Sequence, residues 1–264
     1  MTLTYVYDRL DRMVVIKAIR VPEPSAEVKI TLYLNSLELR SIPENPIIPI
    51  LDHFVSDEGW QFLVMPAWRL MRQPSLILWQ MNDYFELLIK SLEGLAFMHK
   101  QGIAHNDLSP GNIIFNQDAT FDPPAPTVSR WDVQVAYIDF DHSLQFDPKS
   151  DESIWIGTHA PGYHYFMAPE IHAEKTKNAY KAIPANREPP KTEAYAVEVL
   201  HIHVPKFYDI LQDMAHPDPS QRLTAAKALS KFKTLRESIP KSILFALSSG
   251  YGKEFLTNRN WASG

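Results

Sequence analysis

The 264-residue chain has no cysteine and only 9 glycines, none of them before Gly59. Without cysteine there can be no disulfides, no thiolate zinc sites and no cysteine nucleophile. No apolar run approaches the ~20 residues needed to span a membrane as a helix. The start, Met1-Thr2-Leu3-Thr4-Tyr5, lacks the basic-then-apolar layout of a secretory signal. Positive charge is not in excess either: 26 Lys and Arg against 31 Asp and Glu give a net charge of −5. No global basic field is present to favour nucleic acid. What remains is an ordinary globular composition, 45% hydrophobic and 22% charged, with an unusual 21 prolines. That is enough apolar chain to bury a sizeable core. The expectation is an intracellular protein of the cytoplasm or nucleus, with no membrane and no nucleic-acid partner.

Val14 to Arg20 is β-branched and apolar around one lysine and reads as a buried strand. After a Pro-containing turn, Ser25 is a candidate cap for a helix starting near Ala26, before Pro43, Pro46 and Pro49 break the pattern. Residues 50–55 and 60–65 read as a hairpin turning at Asp57-Glu58-Gly59. From Met81, the residues Phe85, Leu88, Ile89, Leu92, Leu95, Ala96 and His99 recur at three- and four-residue steps, an amphipathic helix that Gly102 ends. Short strands are expected over 112–115 and 133–140, and helices near 192–203, 205–215, 223–235 and 240–248. Strands first and helices later give an α+β chain.

The segment most loaded with chemistry is His105-Asn106-Asp107-Leu108-Ser109-Pro110-Gly111-Asn112. Downstream come Tyr137-Ile138-Asp139-Phe140-Asp141, then Met167-Ala168-Pro169-Glu170, then the run from His216 to Ala225; upstream stand Val15-Ile16-Lys17 and Glu27. This ordered set resembles the eukaryotic protein-kinase family, matching its catalytic loop, DFG and APE elements, strand lysine, helix-C glutamate and late-helix signature. The shortened stretch from Glu193 to Asp218, with the IDFD and DLSPGN variants, is similar to the expanded kinase-like proteins of basidiomycete fungi.

The resemblance implies a bilobal fold: a small antiparallel-sheet N-lobe over about 1–66, truncated at its start, a helical C-lobe over about 69–240, and a helical tail over about 241–264. It implies ATP- and Mg2+-dependent transfer of the γ-phosphate to a protein hydroxyl, with Ser or Thr the expected acceptor. Such transfer rests on positioning and electrostatic stabilisation, because the moving group carries dense negative charge. On that template Lys17 pairs with the α- and β-phosphates and is held by Glu27, while Asn112 and Asp139 supply hard oxygen ligands for magnesium. Asp107 accepts or orients the proton of the acceptor hydroxyl. Met65 takes the gatekeeper position. Pro66, which has no N–H, offers its carbonyl to adenine, and Trp68 offers the N–H. The protein substrate and the oligomeric state are left open.

Several positions depart from the family pattern. The chain begins 16 residues before Lys17, with no G-x-G-x-x-G loop to cover phosphates. Either that lid is truncated or nucleotide is held without it. Asn106 stands where the catalytic loop usually has the Arg that receives an activation-loop phosphate, although Ser153 and Thr158 lie in that loop. Ser109 and Tyr163 replace a Lys and Thr of Ser/Thr kinases, Asp141 replaces the DFG Gly, and Glu193 replaces a helix-F Asp. Two rivals follow: a pseudokinase scaffold acting through protein contacts, and a small-molecule kinase of the same fold. Blander readings hold elsewhere. His105 is expected as a packed core histidine, Glu170 and Arg222 as a structural ion pair, and His201 and His203 as packing or surface residues. The lysines from Lys227 to Lys233 are expected on a solvated helix face.

Overall fold

A computed structural model describes residues 2–20, 26–70, 81–109, 111–118, 134–149, 205–216, 218 and 220–245. Four strands near the start form one antiparallel sheet in the order β1-β2-β4-β3: β1 Thr2–Tyr7, β2 Met13–Arg20, β3 Asp52–Val55 and β4 Trp60–Pro66. The alternation of β2 and β4 turns Lys17, Ile19, Leu63 and Met65 into the interior on one face, the period-2 pattern of a sheet with a covered face. Lys17 sits opposite Leu3 on one side and Leu63 on the other. The expected hairpin is formed by β3 and β4, with Gly59 at φ +80° in its turn.

Helix α1 (Ala26–Leu34) begins at the expected position and buries Glu27, Val28, Ile30, Thr31 and Leu34. Ile30 and Leu34 belong to a cluster with Ile47, Phe97, Met98, Ile103, Tyr137 and Phe140. That cluster packs the later turns of α1, through Ile30 and Leu34, against Phe140 of the loop that carries Asp139. Helix α2 (Met81–Lys100) supplies Phe97 and Met98 to the same cluster. Its end is set by Gly102 at φ +70°, where an added Cβ would stand 2.2 Å from the Phe146 carbonyl oxygen. That is closer than any side chain tolerates, so glycine is required on both counts.

Beyond α2, β6 (Ile103–Ala104) pairs with β9 (Leu144–Gln145), and β5 (Trp68–Leu70), β7 (Ile113–Asp118) and β8 (Val135–Tyr137) form a three-stranded antiparallel sheet in the order β5-β7-β8. The strand expected over 133–140 stops at Tyr137. Asp139 turns into the left-handed region at φ 68°, and Phe140–His142 forms a 3₁₀ turn. The sequence pattern missed this because Phe140 is fully buried, as a strand residue would be.

Helices α3 (Pro205–Met214), α4 (Ala225–Ser238) and α5 (Lys241–Leu244) pack on α2 through Phe85, Ile89, Leu92, Phe207, Ile210, Ala228, Phe232 and Leu244. Thr224 caps α4 by accepting from the Lys227 N–H at 3.3 Å. Lys227, Lys231 and Lys233 are exposed, as expected. The architecture is therefore α+β, an antiparallel sheet at the start and helices toward the end. Among the described residues no helix is long and apolar enough to cross a membrane. The helix expected near 192–203, the Met167–Glu170 element, and Ser153, Thr158, Tyr163, Glu193, His201 and His203 lie outside the described residues. Glu170 therefore offers no view of its expected pairing with Arg222, whose Nε donates to the His216 carbonyl at 3.1 Å.

Candidate active site

Three chain segments, two of them neighbours in sequence and one 122 residues away, meet at one lysine. Lys17, in the middle of β2, is 5% exposed and points from the covered face of the sheet. Its Nζ pairs with Glu27 Oε1 from the first turn of α1 and with Asp139 Oδ1, 2.9 Å away. Burying an ammonium is costly unless it is paired and hydrogen-bonded, and these two carboxylates supply that pairing. Burial also acts on Glu27: it pushes the carboxyl above its ordinary value of 4.5, an effect that Lys17 opposes and the carboxylates of Asp139 and Asp141 reinforce.

Asp139 owes its place to its neighbours. Phe140 is buried in the α1–α2 cluster, with its ring 4.8 Å from that of His105. The left-handed backbone at Asp139 lets the chain sink Phe140 inward while the carboxylate turns toward Lys17. Asp139 remains 29% exposed on its side chain, so its charge keeps access to water and ligand.

The second group of residues lies on the loop between β6 and β7. Asn112 Nδ2 donates to Asp107 twice, to the backbone carbonyl at 2.8 Å and to Oδ2 at 2.9 Å. With its NH2 spent on Asp107, the amide of Asn112 offers an oxygen for other work. The five-residue spacing is thus a closed turn, tightened by the Asn112 N–H donating to the Ser109 carbonyl at 2.9 Å. Ser109 is buried, with its Oγ 3.5 Å from where a Cβ on Gly111 would stand.

The two groups are stitched together. The Ile138 N–H donates to the Asn112 carbonyl at 3.0 Å, and His105 Nε2 meets the Ile138 carbonyl at 3.0 Å. His105 Nδ1 accepts the Asp107 N–H at 3.3 Å, so the proton belongs on Nε2 and the imidazole is neutral. Burial pushes the His105 pKa below its ordinary 6.5, which agrees with that tautomer. His105 is 1% exposed and serves as a core bracket. Ser143 Oγ adds a bond to the His105 carbonyl at 3.1 Å.

Met65, Pro66 and Trp68 run along the end of β4 into β5. Met65 is the register partner of Val15 and lies two residues past Leu63, the partner of Lys17, so it shares that face. Its side chain packs in a cluster with Ile48, Ile114 and Ala136, against which Trp68 also packs. Pro66 stands opposite Val14, and the next N–H, that of Ala67, is taken by the Met13 carbonyl at 3.1 Å. The structure thus brings Lys17, Glu27 and Asp139 into direct contact and joins Asp107 and Asn112 to them through residue 138. Met65 and Pro66 lie further along the same sheet, and Trp68 opens β5 of the second sheet. Sequence reasoning did not single out Ser143 or His142, whose polar backbone contacts leave no periodic signature.

A family model of the protein kinase domain matches residues 5–185. Sporulation protein kinase mde3 of Schizosaccharomyces pombe is 24% identical over 156 residues, 56% of this chain and 26% of that protein. Mitogen-activated protein kinase 13 of Mus musculus is 23% identical over 266 aligned positions, 84% of this chain and 71% of that protein. Wee1-like protein kinase 2 of Ailuropoda melanoleuca is 27% identical over 188 residues, 60% of this chain and 31% of that protein. The chain therefore spans less than a third of the length of two of these three relatives. With 181 of 264 residues inside the family match and the paired lysine and acidic residues in the family's order, the chain belongs to the protein kinase domain family.

Proposed function

We propose that this chain is an ATP- and Mg2+-dependent protein kinase that transfers a γ-phosphate to a protein hydroxyl, with Ser or Thr as the acceptor class. The observation that carries this reading is the convergence of Lys17 on both Glu27 and Asp139. A buried ion pair is weak evidence for stability, so a lysine placed between two carboxylates at a sheet face calls for a functional reason. Phosphate recognition supplies one.

The donor set fits magnesium. Asp139 and Asn112 offer one carboxylate and one amide oxygen, and magnesium is held by one or two carboxylates together with substrate phosphates and water. When bound, the ion would neutralise charge on the triphosphate.

The chain's own residues would then divide the work. Lys17 is held extended by Glu27, so its ammonium arrives at the phosphates without paying to order a long side chain. Asp107, fixed by the Asn112 amide, would take the proton of the acceptor hydroxyl as that oxygen bonds to the γ-phosphorus and the bond to the departing ADP breaks. The family's hinge geometry makes the Pro66 carbonyl the adenine acceptor and the Trp68 N–H the donor, with Met65 behind them. The IDFD and DLSPGN variants support a place near the basidiomycete kinase-like expansion.

A thermal-shift series with and without Mg-ATP, followed by labelled phosphate transfer, tests the reading. The wild-type chain is expected to bind and transfer. Asp107→Asn is expected to bind equally and lose about 10²- to 10⁴-fold in transfer. Binding without transfer in the wild type would identify a scaffold, and transfer to metabolites but to no protein would identify a small-molecule kinase.

A further inference from the structure

Two of the three non-glycine residues with positive φ among the described residues, Asn106 at 62° and Asp139 at 68°, lie in the candidate site. Both sit one step from a residue assigned a chemical role, or carry one. Positive φ is costly for most side chains and mild for Asn and Asp. An asparagine at 106 therefore holds the backbone before Asp107 in a conformation that a longer side chain would adopt only under strain.

The side chain of Asn106 has a second use. Its Nδ2 donates to the His142 carbonyl at 3.2 Å, across 36 residues. Beside it run the His105 bond to the Ile138 carbonyl and the Ser143 bond to the His105 carbonyl. Residues 105 and 106 thus grip both ends of the segment 138–143. The outer grip closes the 3₁₀ turn that begins right after Asp139, inside which the Ser143 N–H donates to the Phe140 carbonyl at 3.0 Å. All three grips are neutral hydrogen bonds between a side chain and a backbone atom. None needs a charge supplied from elsewhere.

We propose that Asn106 is a positioning residue that registers the Asp107 loop against the Asp139 turn through a permanent neutral tie, so that the site is assembled without phosphorylation of the chain. This rests on the proposed function only in what the registered residues are for; the tie itself is independent of it. A guanidinium at this position would need an anion opposite it to be fixed. The amide instead bonds a carbonyl that the fold already holds in place.

The test uses the full chain and two readouts. Amide hydrogen exchange at Ser143 is measured without nucleotide, in wild type, Asn106→Gly and Asn106→Asp. Glycine keeps the positive φ and removes only the donor, and aspartate keeps the φ while facing the carbonyl with a carboxylate. Loss of one net hydrogen bond predicts about 3- to 10-fold faster exchange in Asn106→Gly and a larger change in Asn106→Asp. Protection at Phe232 in the distant helical cluster is expected to stay unchanged, which shows that the fold persists. Phosphatase treatment of the wild type is expected to leave Ser143 exchange unaltered. The second readout is the Mg2+ dependence of ATP affinity, expected to weaken about 3- to 10-fold in Asn106→Gly while Mg-free affinity is kept. Unchanged Ser143 exchange in Asn106→Gly, or faster exchange after phosphatase, would overturn the tie. Absence of any Mg-ATP binding by the wild type would overturn the proposed function and leave the exchange result standing.

Discussion

The helical part of the molecule and the loop part around Lys17 are fastened by different physics. The core between α2, α3 and α4 is apolar, with the Phe207 ring 5.1 Å from Phe85 edge to face and 5.0 Å from Phe232 at a tilt, while the ion pairs Arg236–Glu86 and Lys233–Glu93 are partly exposed at its margin. Around Lys17 the fastenings are ion pairs and side-chain-to-backbone hydrogen bonds, on loops that include two left-handed residues. Apolar burial is non-directional and tolerates small shifts. Hydrogen-bonded loops demand one geometry, and a half-satisfied network is costly. The loop region, although Phe140 anchors it in an apolar cluster of its own, is where charged groups are held at fixed separations at a cost in desolvation.

Substitutions can break that contrast in order of expected size. Phe232→Ala should cost about 3–5 kcal/mol of stability through cavity formation, measured by denaturant unfolding, and leave nucleotide affinity in the folded fraction unchanged. Lys17→Met should cost a comparable amount, about 3–5 kcal/mol, because it strands Glu27 without a partner, and should also abolish Mg-ATP binding. Adding Glu27→Leu to that variant sharpens the comparison: stability is expected to return to near the wild-type value while nucleotide binding does not. If the double change restored neither, the pair would be structural in the same sense as the helical cluster.

Much of the fold was legible because the relevant patterns are local. The β2 strand follows from its β-branched apolar run, α1 from a candidate cap before Ala26 and the prolines after it, α2 from three- and four-residue periodicity ended by Gly102, and the β3–β4 hairpin from the Asp57-Glu58-Gly59 turn. The set of residues at the site was legible through the family's order of motifs. What sequence could not express is distance across the chain: Lys17 reaching Asp139, 122 residues away, or the Tyr137 N–H donating to the Pro46 carbonyl at 2.7 Å. The early end of β8 was also hidden, because a buried Phe140 looks the same in a strand and in a 3₁₀ turn. Asn106 stood out in the sequence only as a substitution; its bond to His142 needed coordinates.

A pH effect of intermediate size separates the two regions further. His105 has its pKa pushed below 6.5 by burial, so the native state holds it neutral while the unfolded chain protonates. Stability is therefore fully present above pH 6.5 and is lost as pH falls through the lower native value. Thermal unfolding from pH 7 to 5 should show this loss, and an imidazole titration by NMR should place the His105 midpoint below 6.5. Glu27 acts in the opposite sense. Its raised pKa makes stability fully present below pH 4.5 and lost as pH rises through the native value. The smallest effect is expected on the helical surface, where Lys231 pairs with Asp213 at 2.7 Å with both side chains 49% exposed. Lys231→Ala should change stability by less than about 1 kcal/mol.

The proposed activity stands on Lys17, Asp107, Asn112 and Asp139 converging around a magnesium-bound triphosphate. Calorimetric titration of ATP with and without Mg2+, on wild type and Asp139→Asn, tests it most directly. Mg2+ is expected to strengthen ATP binding in the wild type and to have no such effect in Asp139→Asn. Binding of equal strength with and without Mg2+ in the wild type, or a Mg2+ effect that survives in Asp139→Asn, would contradict it.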